Sequence, residues 1–244
     1  MKKGKIVVVG IGPGDEKSMT DRAGDALRSC EVIAGYKTYL DLVRETFPKK
    51  EFLESGMRQE LQRCRDCLAL AKEGKNVALI CSGDAGVYGM ASPMLEVAAK
   101  EGFEDVEIIP GVTAALSGAA LLGAPIGHDF CVISLSDLLT PQELIEERLK
   151  HAALADLCIV LYNPASHARK EGFARACEIL LQILPPDLPC GVVRNIGRAE
   201  TKTQICTLGT LSAQEVDMVT TVFIGNSKTK RCGKWMVTPR GYEV

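Results

Sequence analysis

Lys5-Ile6-Val7-Val8-Val9-Gly10-Ile11-Gly12-Pro13-Gly14-Asp15 decides the reading of this chain. A short β-branched run gives way to three glycines, the pattern of a buried strand that ends in a tight, glycine-rich turn. Outward from it, similar short runs recur at Glu31–Ala34, Asn76–Cys81, Val106–Ile109, Phe130–Leu135, Leu157–Tyr162, Cys190–Val193 and Thr220–Ile224. Segments of helical period separate them. Asp21–Cys30 places Ala23, Ala26, Leu27 and Cys30 on one face; Met57–Lys72 does the same with Met57, Leu61, Cys64, Leu68 and Ala71, with Gly74 as a stop. Thr140-Pro141-Gln142-Glu143 predicts a helix capped by Thr140, with Pro141 at its first position, running to about His151, and Ser92-Pro93 repeats the pattern more weakly. Strands alternating with helices predict an α/β fold. The Gly123-Ala124-Pro125-Ile126-Gly127 stretch reads as a linker, so two α/β lobes are expected, 1–122 and 123–244.

The 244 residues carry 29 Lys+Arg against 31 Asp+Glu, a formal charge of −2, which argues against a nucleic acid as the main partner. The apolar run Ile6–Val9 is shorter than the core of a signal peptide, ~7–15 residues, and the uncharged stretch Gly111–Gly127 is interrupted by glycine and proline and falls short of a membrane span of ~20 residues. A cytoplasmic protein with ten reduced cysteines is therefore expected.

The first glycine loop invites a dinucleotide-binding reading, but Asp15 stands where the third glycine of that fingerprint belongs, and a carboxylate there repels a pyrophosphate. Cys81-Ser82-Gly83-Asp84-Ala85-Gly86-Val87-Tyr88-Gly89 and Pro110-Gly111-Val112-Thr113-Ala114 occupy the same strand-end context. Together the three loops suit a flat, adenosine-like ligand read by main chain, with glycine letting the ligand approach. Plain turns are the alternative. Cys64-Arg65-Asp66-Cys67 resembles half a metal site but has no second pair, so core cysteines are the better reading and no metal is expected. His128 and Asp129, just past the linker, stand open between facing a substrate and holding backbone. An NAD(P)-dependent oxidoreductase and a cysteine-dependent metal or redox protein remain as alternatives.

GxGPGD, SGD and PGVTA in this order resemble the tetrapyrrole (corrin/porphyrin) methylase family. Further stretches carry the likeness across nearly the whole chain: Gly127–Asp137, Leu161-Tyr162-Asn163-Pro164, Val193-Arg194-Asn195 with Gly197-Arg198, Thr220–Ser227 and Thr238–Tyr242. These later motifs are similar to the branch that methylates carbon 17 of precorrin-3B, or its cobalt counterpart, with ring contraction in cobalamin biosynthesis. The resemblance implies two α/β lobes with cofactor and substrate in the cleft between them, a fold distinct from the Rossmann methyltransferases. It also implies S-adenosylmethionine as methyl donor, S-adenosylhomocysteine as product and a homodimer.

Carried over by position, it implies cofactor contacts at Pro13, Ser82, Gly83, Asp84, Val87, Thr113, Ala114, Asn163, Asn195 and Ile196. Asp84 is then a ribose-hydroxyl acceptor or, alternatively, a helix cap. Many members have proline after this aspartate, where Ala85 stands here. Ring contraction needs proton transfer, for which Asp15, His128, Asp129 and Asp137 are the candidates. Arg194 and Arg198 are expected to bind the polycarboxylate macrocycle, converging with the basic run Lys228, Lys230, Arg231 and Lys234.

Overall fold

The structure is a computed structural model that describes residues 4–165 and 171–243; His167 lies outside the described residues. The chain divides into two compact units, one ending at Thr113 and the other beginning at Ala114.

In the first unit β1 (Ile6–Gly10), β2 (Val32–Tyr36), β3 (Glu51–Ser55), β4 (Val77–Cys81) and β5 (Val106–Ile109) form a sheet in the order β3-β2-β4-β1-β5. Every pairing is parallel, so the strands share one carboxyl-end edge. Helices α1 (Asp21–Ser29), α2 (Lys37–Leu40), α3 (Glu60–Lys72) and α4 (Ala91–Lys100) cover it. The alternation of β1 explains its all-apolar sequence: Ile6 and Val8 pack with α3 and α4, while Val7 and Val9 pack with α1 around Leu27. On α3 the buried stripe is Arg63, Cys64, Cys67, Leu68 and Ala71. Met57 and Leu61, expected on that face, are exposed.

The second unit contains α5 (Ala114–Leu122), β6 (Gly123–Ala124), β7 (Phe130–Ser134), α6 (Gln142–Leu154), β8 (Cys158–Tyr162), α7 (Glu171–Leu181), β9 (Pro189–Arg194), β10 (Lys202–Thr207), α8 (Leu208–Leu211), β11 (Thr220–Ile224), β12 (Lys230–Cys232) and β13 (Trp235–Val237). Its main sheet runs β10-β9-β11-β8-β7. Because β8 and β9 are each antiparallel to β11 and β7 is parallel to β8, strands β7, β8 and β9 point the same way. Helices α6 and α7 bury one face and α5 the other. The small residues of α5 let it lie close to the sheet: a Cβ on Gly118 would stand 2.9 Å from the Phe223 ring.

Two local expectations change. Gly123 and Ala124 pair with Met236 and Val237, so the stretch read as a linker begins as strand before turning at Pro125 and Ile126, and α5 joins the second unit because it packs on β9 and β11. At α6, Pro141 takes the cap position with φ −55° and ψ 140° and no side-chain cap bond forms. That extended ψ moves the helix start to Gln142 and leaves Thr140 one residue too early to cap it.

Candidate active site

The carboxyl-end edge of the first unit brings the three glycine loops together. Gly12 and Gly83 form an antiparallel bridge, with the Gly83 N–H on the Gly12 carbonyl at 2.7 Å and the reverse bond at 3.1 Å. Both glycines are left-handed, at φ 77° and 73°. A Cβ on Gly111 would lie 2.2 Å from the Gly83 carbonyl oxygen, and one on Gly10 2.6 Å from the Gly111 nitrogen. These glycines therefore serve loop-on-loop packing, where the sequence suggested room for a ligand against the main chain. Pro13 is buried beside the bridge, and Ser82 and Val87 are half-buried.

Asp84 is the knot of this cluster. Its Oδ1 accepts the N–H groups of Gly86 (2.8 Å) and Val87 (3.0 Å), and its Oδ2 accepts that of Gly111 (2.9 Å). A carboxylate has about four acceptor positions, so three bonds leave Asp84 room for about one more donor, not two. Asp15 is exposed and caps the short 3-10 turn Glu16–Ser18, accepting from the Ser18 N–H (2.8 Å) and hydroxyl (2.9 Å). Thr113, half-buried, ends the first unit and Ala114 opens α5 in the second.

In the second unit the aligned ends of β7, β8 and β9 gather Asn163, Asn195 and Ile196. Both asparagines are left-handed, at φ 53° and 55°, a conformation asparagine tolerates better than most residues. Asn163 Nδ2 donates to Ser134 Oγ at 2.9 Å, leaving its Oδ1 without a partner among the described residues. The Asn195 carbonyl accepts the Arg198 N–H (3.0 Å) and the Thr201 hydroxyl (2.8 Å), which shapes the turn holding Arg198. Ile196 is buried against α5. The Tyr162 hydroxyl accepts the Ala115 N–H at 2.6 Å and pins the start of α5. Neither Ser134 nor Tyr162 is singled out by sequence spacing, because each acts through a contact distant in the chain.

Arg194 binds Asp217 at 2.5 Å, while its Nε is buried and has no partner among the described residues. It lines an open groove of about 500 Å³ with Lys202, Gln204, Gln214 and Glu215. Arg231 and Lys234 line a separate, smaller groove of about 130 Å³ beside Leu121. The expected convergence of Arg194 with the whole basic run is thus divided between two grooves; Lys228 and Lys230 are simply exposed.

The acid–base candidates separate. Asp137 is exposed in the loop after β7, at the edge where Asn163 and Asn195 stand. His128 and Asp129 precede β7 and so occupy its opposite end, a strand length of roughly 15 Å away at ~3.3 Å per residue. There the His128 Nδ1 accepts the Asp129 N–H at 2.8 Å, and the Asp129 carbonyl accepts the Cys158 N–H at 3.1 Å. The His128 Nδ1 also lies 3.6 Å from Asp129 Oδ2, and both side chains are exposed. Cys64 and Cys67 are core residues; burial pushes the Cys64 thiol up to about 11 and the Cys67 thiol higher still. Among the described residues no group of three or more His, Cys, Asp or Glu is placed to hold a metal ion, and no helix is long and apolar enough to cross a membrane.

Comparison with known proteins places this geometry. A "Probable cobalt-factor III C(17)-methyltransferase" of Salmonella typhimurium is 46% identical over 240 residues, covering 98% of this chain and all of the relative. A "Precorrin-3B C(17)-methyltransferase" of a Sinorhizobium species is 40% identical, covering 98% of this chain and 97% of its own. The crystal structure of the methyltransferase CobJ superposes with a TM-score of 0.91 at 38% identity, covering 97% of this chain and 100% of that one. The family of tetrapyrrole (corrin/porphyrin) methylases matches residues 5–212. On this agreement of sequence, fold and strand-end loops, the chain belongs to the tetrapyrrole (corrin/porphyrin) methylases.

Proposed function

We propose that this chain is a C-methyltransferase of cobalamin biosynthesis that methylates carbon 17 of precorrin-3B or cobalt-factor III, with contraction of the ring. The observation that carries the reading is similarity along essentially the whole chain to enzymes of that name, with the later motifs included. S-adenosylmethionine is the proposed methyl donor, and when bound it supplies an electrophilic methyl group. The Gly12–Gly83 bridge holds a main-chain platform, and the remaining acceptor position of Asp84 suits one ribose hydroxyl. Asn163 Oδ1 offers an acceptor for the adenine amino group, and Pro13, Val87, Thr113, Ala114, Asn195 and Ile196 complete the proposed set. The oxidoreductase alternative loses support, since neighbouring backbone fills the space beside Gly10 and Gly12.

Positioning and exclusion of water supply most of the rate for such a transfer, so no nucleophile is needed. Asp15 and Asp137, exposed at strand-end edges, are the proposed proton carriers for contraction, while Arg194 and Arg198 orient macrocycle carboxylates. A cytoplasmic homodimer belongs to the same reading. Incubating the purified protein with S-adenosylmethionine and either macrocycle tests it: one added methyl group and a contracted-ring absorption spectrum are expected with at least one. Methylation of neither, under aerobic or anaerobic conditions, overturns the assignment.

A further inference from the structure

Arg63, near the start of α3, is 4% exposed and has no acidic partner among the described residues. Its Nε donates to Ser55 Oγ at 2.5 Å, one terminal nitrogen to the Gly56 carbonyl at 3.0 Å and the other to Met90 Sδ at 3.5 Å. All three acceptors are neutral. A guanidinium carries five N–H groups, so two remain, one on each terminal nitrogen, as charged donors for an anionic acceptor such as a carboxylate. A buried charge without a counter-charge destabilises a fold. The neighbouring thiols do not supply one, because burial pushes Cys64 to about 11 and Cys81 to about 12 and keeps both neutral.

The position of Arg63 says what it serves. Ser55 and Gly56 close β3, and Met90 closes the loop that carries Ser82, Asp84 and Val87, with its N–H on Cys81 Sγ at 3.1 Å. The guanidinium thus lies under the carboxyl-end edge of the first sheet, where ligands of open α/β sheets collect. The Met90 thioether that touches one of its terminal nitrogens is an unbranched and pliable side chain.

We propose that Arg63 is the counter-charge for a ligand carboxylate that reaches this edge when Met90 moves aside. The inference rests on the proposed function, which offers two sources of that chemistry: the amino-acid carboxylate of the cofactor and an acidic side arm of the macrocycle.

The test uses the full-length protein with Arg63→Gln and Arg63→Lys. Each is titrated with S-adenosylhomocysteine and with its analogue lacking only the carboxylate, and KM is measured for the macrocycle. If the cofactor is the source, Arg63→Gln weakens S-adenosylhomocysteine about tenfold to a hundredfold and leaves the analogue unchanged. If the macrocycle is the source, both cofactor ligands bind as before and KM rises by at least about tenfold at unchanged kcat. Arg63→Lys recovers part of either loss, since it keeps charge without the fork. A folded Arg63→Gln with unchanged affinities and KM overturns the proposal, as does an equal loss for both cofactor ligands, which marks a packing role. Should Arg63→Gln not fold, Arg63→Lys and the wild-type preference for S-adenosylhomocysteine over the analogue decide; no preference, with no change in KM for Arg63→Lys, overturns it. Wild-type protein that binds no S-adenosylhomocysteine and methylates neither macrocycle refutes the functional reading instead, before any substitution is made.

Discussion

Asp84 Oδ2 accepts the N–H of Gly111 at 2.9 Å, so a single carboxylate fastens the loop after β4 to the loop after β5. Its Oδ1 meanwhile folds the β4 loop on itself through Gly86 and Val87. Asp84→Ala leaves three donors without their acceptor and is expected to cost about 1–3 kcal/mol of stability along with cofactor affinity. Asp84→Asn keeps one acceptor oxygen and should lose less of both. Thermal unfolding with and without S-adenosylhomocysteine measures the two effects; an Asp84→Ala protein with wild-type melting and wild-type affinity refutes the knot.

Asp15 caps a short turn, and asparagine caps as well as aspartate. Asp15→Asn should therefore retain stability and cofactor affinity, so that a change in turnover reports the lost charge alone. Turnover is expected to fall on the order of 10²-fold, with methylated but uncontracted product released. Mass and absorption spectra of the product check this. Wild-type turnover would leave Asp15 as a cap only.

Two glycines predict opposite outcomes. Gly111→Ala forces a Cβ to within 2.2 Å of the Gly83 carbonyl oxygen and should destabilise the protein by about 1–3 kcal/mol or more while loosening the loops. Gly172 lies in the first turn of α7 with no described residue within 4 Å of its would-be Cβ, and Gly172→Ala should stabilise by roughly 0.5–1 kcal/mol. Denaturant titrations that rank the two variants the other way contradict the packing described for both sites.

Burial raises nine of the ten cysteine thiols above the ordinary thiol value, Cys64 and Cys131 to about 11 and Cys81 and Cys177 to about 12 among them. Above roughly pH 8.5 the unfolded chain releases these protons first and holds fewer than the native state. Stability is thus fully present below that pH and is lost as pH rises toward 11–12. Melting temperatures recorded from pH 7 to 10.5 should fall steeply on the alkaline side, and replacing Cys64 and Cys67 by Ala should flatten the fall without affecting methylation. A flat alkaline limb in the unmodified protein would count against the buried thiols.

His128 and Asp129 stand at the amino end of β7, away from the asparagine turns, where His128 Nδ1 accepts the Asp129 N–H and the Asp129 carbonyl accepts the Cys158 N–H. Replacing His128 by Gln should change turnover by less than about twofold, whereas Asp137→Asn, at the other end of the strand, should reduce contraction. Loss of contraction in the His128 variant alone would reverse this assignment.

The buried strands were legible because of their apolar, β-branched runs, as in Val77–Cys81 and Cys158–Tyr162. Strands β3 and β10 were not, since each is the edge of its sheet and edge strands carry polar residues such as Glu51, Glu54, Lys202 and Gln204. The same limit hid the site's supports. Arg63 falls on the α3 stripe at four-residue spacing from Cys67 and Ala71, yet a charged residue at such a position reads as surface until its burial is seen. His128 and Asp137, both acid–base candidates, stand at opposite ends of β7, a separation that follows only once Phe130–Ser134 is seen as strand.

The joint between the first two glycine loops consists of two main-chain hydrogen bonds, Gly12 with Gly83, and contains no side chain at all. Oxidants, kinases, acetylating enzymes and alkylating agents act on side chains. Nothing in their repertoire acts on this joint directly; its two bonds continue the pairing of the strands that feed it, β1 and β4.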